Sequence, residues 1–262
     1  MEWQHAAYQM AHDIIKEKIK TQRGTLVEMV QHHQWGMTCY MDRTIQSSEI
    51  DEQLYHEALV HPAMLTAPSK RVMIIGGGEG ATAREVLKWP GITHVDMYEW
   101  DRDVVQMFAA RYPQWAKDAW SDPRLTLHYD DIFETIDVHP AEPYDVIIVD
   151  LFDPSCDTEE KWRLLLQHLL YWIHPTGSIV LYAGMRSMVE REQPYQMLTR
   201  LLMEQPDTLF GRIIYPYHVY IPSFEGESVF LLISSTMGLQ NSNLVASHIT
   251  EPIWNSYQTF NW

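Results

Sequence analysis

Two groups of residues carry the types and spacing that chemistry needs. The first is Ile74-Ile75-Gly76-Gly77-Gly78-Glu79-Gly80-Ala81-Thr82, an apolar run entering a glycine-rich turn that opens a helix. Glycines at such a turn let backbone N–H groups approach a ligand closely. The spacing Gly76-x-Gly78-x-x-Ala81, with Glu99 further along, satisfies the dinucleotide fingerprint as a pattern. Glu79 argues against a pyrophosphate, because it would set a carboxylate beside phosphate charge at low effective dielectric. An adenosine carrying a sulfonium fits better, its ribose hydroxyls held by Glu99 and its positive tail facing Glu79.

The second group is Asp145-Val146-Ile147-Ile148-Val149-Asp150-Leu151-Phe152-Asp153-Pro154, an apolar strand that delivers Asp150 and Asp153 at its carboxyl end. In an open α/β sheet that edge is where ligands bind. Two acids there need a cation, a metal or a shared proton. No His or carboxylate cluster of ligand spacing completes a metal shell, so an amine is expected: one carboxylate holds an ammonium while the other accepts its proton. After a third strand, Leu125–His128, comes Tyr129-Asp130-Asp131. Asp130, first after the strand, can accept from an exocyclic amine such as adenine N6, or can serve as a turn residue or cap.

The elements that must position these groups follow from periodicity. Short β-rich runs at Val72–Ile75, Val95–Tyr98, Tyr144–Val149 and Ser178–Tyr182 alternate with helix-length segments at Thr82–Lys88, Arg102–Tyr112 and Glu159–Ile173. That pattern predicts a parallel sheet covered on both faces, a doubly wound α/β fold, with Arg212–Tyr220 and Ser228–Ser234 as antiparallel strands closing an edge. Upstream, Trp3, Ala7, Met10, Ile14 and Ile15 recur at helical steps and predict a helix from Glu2 to about Thr21. Thr25–Ser47 predicts a small β-hairpin turning at His33–Gly36, and Asp51–Val60 a short helix. The expected division is residues 1–70, helix plus hairpin, and residues 71–262, the sheet domain.

The chain has 262 residues, with 19 Lys+Arg against 35 Asp+Glu and a formal charge of −16. Such acidity disfavours nucleic acid and anionic lipid as partners. Cys39 and Cys156 lack metal or redox spacing and are expected to be free thiols. No apolar run suggests a membrane span and the first residues do not resemble a signal peptide, so a cytoplasmic location is expected.

In family order, the Gly76–Gly80 turn with Thr82-Ala83-Arg84-Glu85, the Asp150-x-x-Asp153-Pro154 strand end, and Ile45-Gln46-Ser47-Ser48-Glu49-x-Asp51-Glu52-x-x-Tyr55-His56-Glu57 resemble the aminopropyltransferases, the spermidine/spermine synthases. Glu79, Asp150-Leu151-x-Asp153-Pro154 and Tyr217–Phe224 look most like the thermospermine synthase branch. The resemblance implies a Rossmann-like fold of the S-adenosylmethionine-methyltransferase type. It implies transfer of an aminopropyl group from decarboxylated S-adenosylmethionine to spermidine or putrescine, releasing methylthioadenosine, with no metal or other cofactor and with a homodimeric assembly. Carried over, Glu99 holds the ribose, Asp130 the adenine and Glu79 the donor's ammonium, beside the Gly76 and Gly78 turn, with Gln46 and His56 on the donor side. Asp150 is the general base, Tyr55 orients the attacking nitrogen, and Asp153 and Tyr217 contact the acceptor. The Tyr-Gln pair that the family carries at the start of the hairpin is absent near Thr25-Leu26, and the expected N-terminal helix implies a reduced β domain. The competing readings are a methyltransferase of the same fold using intact S-adenosylmethionine, and a non-catalytic polyamine-binding protein.

Overall fold

The computed structural model describes residues 13–187, 192–209 and 211–236. Strands β1 (Ile14–Lys20), β2 (Leu26–His32), β3 (Gly36–Met41) and β4 (Thr44–Ser48) form an antiparallel sheet in chain order. The expected hairpin is present as β2 and β3, and β4 extends it after a turn at Asp42 and Arg43, both with positive φ. The N-terminal helix is corrected where it can be seen: Ile14–Lys20 is a strand, and the rest of that expectation, residues 1–12, lies outside the described residues. From Lys16 the sequence alternates, with exposed Lys16, Lys18 and Lys20 between half-buried Glu17 and Ile19. That period of two belongs to a strand with one face covered. Lys18 pairs with Glu28 of β2 at 2.7 Å, and β1 thus adds a fourth strand beside β2, β3 and β4.

The remaining elements are α1 (Glu52–Thr66), β5 (Arg71–Gly76), α2 (Ala81–Leu87), β6 (His94–Tyr98), α3 (Arg102–Arg111), β7 (Leu125–His128) and α4 (Ile132–Thr135). They continue with β8 (Tyr144–Asp150), α5 (Glu159–Trp172), β9 (Ile173–Met185), α6 (Pro194–Met203), α7 (Pro206–Leu209), β10 (Ile213–Ile221) and β11 (Gly226–Ser234). The large sheet has the order β10-β11-β9-β8-β5-β6-β7, parallel from β9 to β7, with β11 and β10 antiparallel at one edge. This is the predicted doubly wound fold. Its strands read as continuous apolar runs because successive residues enter opposite buried faces. Ile74 and Ile148 pack with Leu59 and Met64 of α1, while Ile75 and Val149 pack with Trp162 and Leu169 of α5 and Leu198 of α6. Helix α1, expected with the N-terminal region, is thus a layer of the large sheet. No helix of the described residues is long and apolar enough to cross a membrane.

Strand β5 has β6 on one side and β8 on the other, so its neighbours are reached by connections running in opposite directions. Such a switch point opens a crevice at the strands' carboxyl ends. The register pairs Gly76 with Asp150, which puts the two chemistry-bearing motifs side by side. The small sheet packs near this end through Val27, Met29 and Cys39, which meet Ala81, Val104, Phe108 and Trp115.

Helix α1 runs through Pro62 to Thr66, beyond its expected end at Val60. Proline has no N–H, so the carbonyl four residues earlier, that of Ala58, loses its helical donor. The hydroxyl of Tyr217, on β10, donates to that carbonyl at 2.7 Å. Tyr217 is fully buried, with its ring stacked on Phe230 at 5.4 Å. This corrects the expectation that Tyr217 contacts an acceptor: its side chain is committed to the helix backbone. Tyr217→Phe should therefore cost about 1–3 kcal/mol in urea unfolding, the penalty of an unpaired buried carbonyl. In a Pro62→Ala background the new N–H at residue 62 replaces the lost donor, so the same substitution should cost less than half as much. Equal costs in both backgrounds would contradict the assignment.

Candidate active site

A cavity of about 540 Å3 lies at the carboxyl ends of β5 and β8, bordered by the turn between β3 and β4, by the start of β4 and by the first turn of α1. Its floor is the glycine turn. Gly76 has φ +88°, and a Cβ there would collide with the carbonyl oxygen of Asp150. Gly78 lies so close to Glu99 that a Cβ would stand 3.0 Å from Oε2 of that carboxylate. The turn therefore lets three chain segments converge.

Asp150, the last residue of β8, is held from two elements. The Tyr55 hydroxyl of α1 donates to Oδ1 at 3.1 Å, and the Thr82 hydroxyl of α2 donates to Oδ2 at 2.8 Å. Tyr55 is surrounded by the rings of Tyr182, Phe224 and Phe230 at 5.5–5.8 Å. Burial pushes its hydroxyl well above the ordinary tyrosine value, and the Asp150 charge adds to this, so Tyr55 stays a donor. Asp153 is exposed and lines the cavity. Desolvation raises its carboxyl above the usual range, opposed by a hydrogen bond from the Tyr182 hydroxyl.

Glu99, just after β6, is almost fully buried. Burial pushes its carboxyl up to about 7, opposed by the Asp101 N–H, which donates to Oε1 at 2.8 Å. Glu79 meets His56 at 2.8 Å from Nε2. The other ring nitrogen of His56 lies 2.6 Å from the Glu52 carbonyl oxygen and 3.3 Å from the Glu52 carboxylate. Arg84 grips that carboxylate with two hydrogen bonds of 2.9 and 2.8 Å. For His56, burial opposes the imidazolium, but Glu79 and Glu52 together outweigh it and raise its pKa well above the ordinary value. Burial raises the Glu79 carboxyl, countered by His56. Both directions describe one proton retained between the two groups.

Of the residues named from the sequence, Gln46, Tyr55, His56, Gly76, Gly78, Glu79, Glu99, Asp150 and Asp153 all line this cavity. Asp130 does not: it is exposed, and the lining residue is its neighbour Asp131, which caps α4 by accepting from the Phe133 N–H at 2.9 Å. The helix start turns the second carboxylate inward and leaves the first in solvent. Thr25 lines the cavity at the place of the absent Tyr-Gln pair. Sequence reasoning missed Tyr182, Met185 and Phe224, which wall the cavity beyond Asp153, and Lys161. Tyr182 and Met185 could have been found, because they end β9 at the same ligand edge. Phe224, in a turn after β10, carries no such signal.

Among the described residues, two other clusters of His and carboxylates have ligand atoms close enough for a metal, Asp13-His32-His33 and Glu57-His61-Glu85. Neither suits one. The Trp89 indole donates to Nδ1 of His61 at 3.1 Å, so the ring proton sits on Nε2, facing Glu85 at 3.2 Å. The Gln34 and Trp35 N–H groups likewise donate to Nδ1 of His32. These are hydrogen-bonding networks.

Fold and cavity define a doubly wound α/β protein with an acidic ligand cleft at its switch point. The profile described as the spermine/spermidine synthase domain matches residues 52–244. A polyamine aminopropyltransferase of Hyperthermus butylicus is 46% identical over 222 residues, 80% of this chain and 72% of the relative. One from Pyrobaculum calidifontis is 39% identical over 207 residues, 77% of this chain and 69% of the relative. The crystal structure of spermidine synthase from Thermotoga maritima superposes with a TM-score of 0.80 at 19% identity, covering 94% of this chain and 84% of that one. A spermidine synthase in complex with the transition-state analogue AdoDATO gives 0.82 at 19% identity, covering 94% and 85%. The chain belongs to the spermine/spermidine synthase family.

The contact between Gly76 and Asp150 can be separated from the cost of positive φ alone. Gly211 also has positive φ, +77°, but has nothing within 4 Å of an added Cβ. Gly211→Ala should cost about 1–2 kcal/mol, the left-handed penalty. Gly76→Ala should cost several kcal/mol more by thermal or urea unfolding, since Asp150 must also move. Similar losses at the two positions would contradict the close approach.

Proposed function

We propose that this chain transfers an aminopropyl group from decarboxylated S-adenosylmethionine to an amine of a polyamine, in polyamine biosynthesis. The observation that carries the reading is the placement of Asp150, held by Tyr55 and Thr82 beside the glycine turn, with Glu79 and Glu99 on one side and Asp153 on the other. Tyr55 and Thr82 both donate to Asp150 and hold its side chain in a fixed orientation. The relatives named polyamine aminopropyltransferases support the same activity.

In this reading Glu99 accepts from the ribose hydroxyls and Asp131, rather than Asp130, lies near the base. Glu79 faces the terminal ammonium of the donor and repels the carboxylate of intact S-adenosylmethionine. The acceptor is a polyamine with at least two ammonium groups, spermidine or putrescine, lying between Asp150 and Asp153 against Tyr55, Tyr182 and Phe224. A free ammonium with a pKa of about 10 is almost wholly protonated at neutral pH. Asp150 takes one of its protons, and the freed lone pair attacks the carbon next to sulfur. The carbon–sulfur bond breaks, its electron pair neutralises the sulfonium, and methylthioadenosine leaves. In-line positioning by the two halves of the cleft supplies part of the barrier reduction, at best on the order of 7–11 kcal/mol. No step calls for a metal.

Purified protein given decarboxylated S-adenosylmethionine with putrescine or spermidine should release methylthioadenosine, and chromatography that separates thermospermine from spermine identifies the product. Asp150→Asn should lower kcat/KM by ~10²–10⁴-fold. A loss under tenfold would remove Asp150 as the base. Absence of turnover with every amine would sink the reading, and a binding preference for the intact donor would favour a methyltransferase.

A further inference from the structure

Both ring nitrogens of His56 face groups that accept hydrogen bonds. Its Nδ1 faces the Glu52 carbonyl oxygen at 2.6 Å, and its Nε2 faces Glu79 Oε1 at 2.8 Å and Asp150 Oδ2 at 4.0 Å. A neutral imidazole carries a single N–H and cannot donate to both sides. One of the two short contacts would then oppose lone pair to lone pair, unless an extra proton sits on the ring or on Glu79. The free protein therefore holds that proton, and the pair as a whole is neutral.

A neutral pair is a poor partner for a dication. The donor taken above brings a sulfonium and an ammonium, and the ammonium has three N–H donors of its own. Placed at the pair, it can donate to Oε1 of Glu79 and to Nε2 of His56 at once, which is the task the proton performs in its absence. The surroundings favour this exchange. Asp150 from β8 and Glu52 from α1 bring further carboxyl groups, and Glu52 is already matched by Arg84 of α2. Cys39, from β3, lies close enough to feel the Glu79 charge and is held as a neutral thiol by burial. Tyr55 packs its ring edge-on to His56 at 5.1 Å and stays protonated.

Resting on the aminopropyl-transfer reading, we propose that the His56–Glu79 pair stores one proton in the free enzyme and releases it to solvent when the donor's ammonium docks. Donor recognition is then proton-coupled. The Nε2–H bond breaks, the proton passes to buffer, and Glu79 gains a net charge for the ammonium. While the proton stays, the pair offers no net attraction to an ammonium and tolerates the carboxylate of intact S-adenosylmethionine.

Isothermal titration calorimetry in buffers of different ionisation enthalpy counts the proton. Decarboxylated S-adenosylmethionine should release about one more proton from the wild type than methylthioadenosine does. That thioether lacks the ammonium but keeps the adenosine, so both ligands report equally on the Glu99 carboxyl, which also titrates near neutrality. Below the pair's pKa, apparent Kd for the donor should fall by up to ~tenfold per pH unit as pH rises. In His56→Gln the extra proton and the extra slope should both vanish, and Glu79→Gln should do the same. Equal proton counts for the two ligands, or a full count retained in His56→Gln, would overturn the proposal while leaving aminopropyl transfer intact. If neither nucleoside binds, the functional reading itself fails.

Discussion

The pairing of β5 with β8, with Gly76 opposite Asp150, is the constraint on which the site depends. Parallel pairing at a switch point ends both strands at one crevice. The contact at Gly76 then fixes how far the turn can approach the Asp150 backbone, and a side chain there would force them apart. With the backbones in place, the Asp150 side chain reaches Thr82 on the following helix and Tyr55 on α1. One register thus sets the Asp150 side chain, its two hydrogen-bond donors and the glycine turn beside them. The small antiparallel sheet contributes the remaining wall, through Thr25, Met41 and Gln46.

Charge supplies the second level of organisation. Glu79, Glu99, Asp150 and Asp153 face one cavity, an arrangement that costs desolvation and mutual repulsion until cations enter. The protein offsets part of this internally. His56 shares a proton with Glu79, Arg84 neutralises Glu52, and Glu99 is raised to about 7 by burial. Lys161, over the rings of Phe133 and Phe152, brings one lysine to the lining at the side of Asp131. The formal charge of −16 is larger than these groups account for. Its excess can steer polycations toward the cleft, an effect that weakens as salt screens it.

Most of the large sheet was legible because its signals are local. The strands at Val72–Ile75 and Val146–Val149 are uninterrupted apolar runs, and each leads into one of the two motifs that meet in the cavity. Pro62 and Tyr217 show where locality ends. The expected end of the helix is Val60, yet α1 continues through Pro62, and a hydroxyl from β10 donates to the carbonyl that the proline leaves without its helical partner. The same contact removes Tyr217 from the cavity, since the sequence of an edge strand does not reveal which face a tyrosine takes. Asp130 and Asp131 differ by one residue at a helix start, a margin finer than periodicity resolves. At Ile14–Lys20 an apparent helical spacing, begun by Trp3 and Ala7, hid an alternation of lysines that only pairing with β2 made decisive. The link between His56 and Glu79 joins two motifs that were each visible, but their shared proton depends on distances that no spacing encodes.

The β5–β8 crevice is proposed to hold a nucleoside sulfonium on one side of Asp150 and an amine on the other. A crystal structure with methylthioadenosine and a polyamine bound decides it. Ribose hydroxyls on Glu99, the thioether sulfur over the glycine turn, and an amine nitrogen at hydrogen-bonding distance from Asp150 on a line toward that sulfur are expected. A nucleoside with its sulfur turned away from Asp150, or an amine bound outside the crevice, would contradict it.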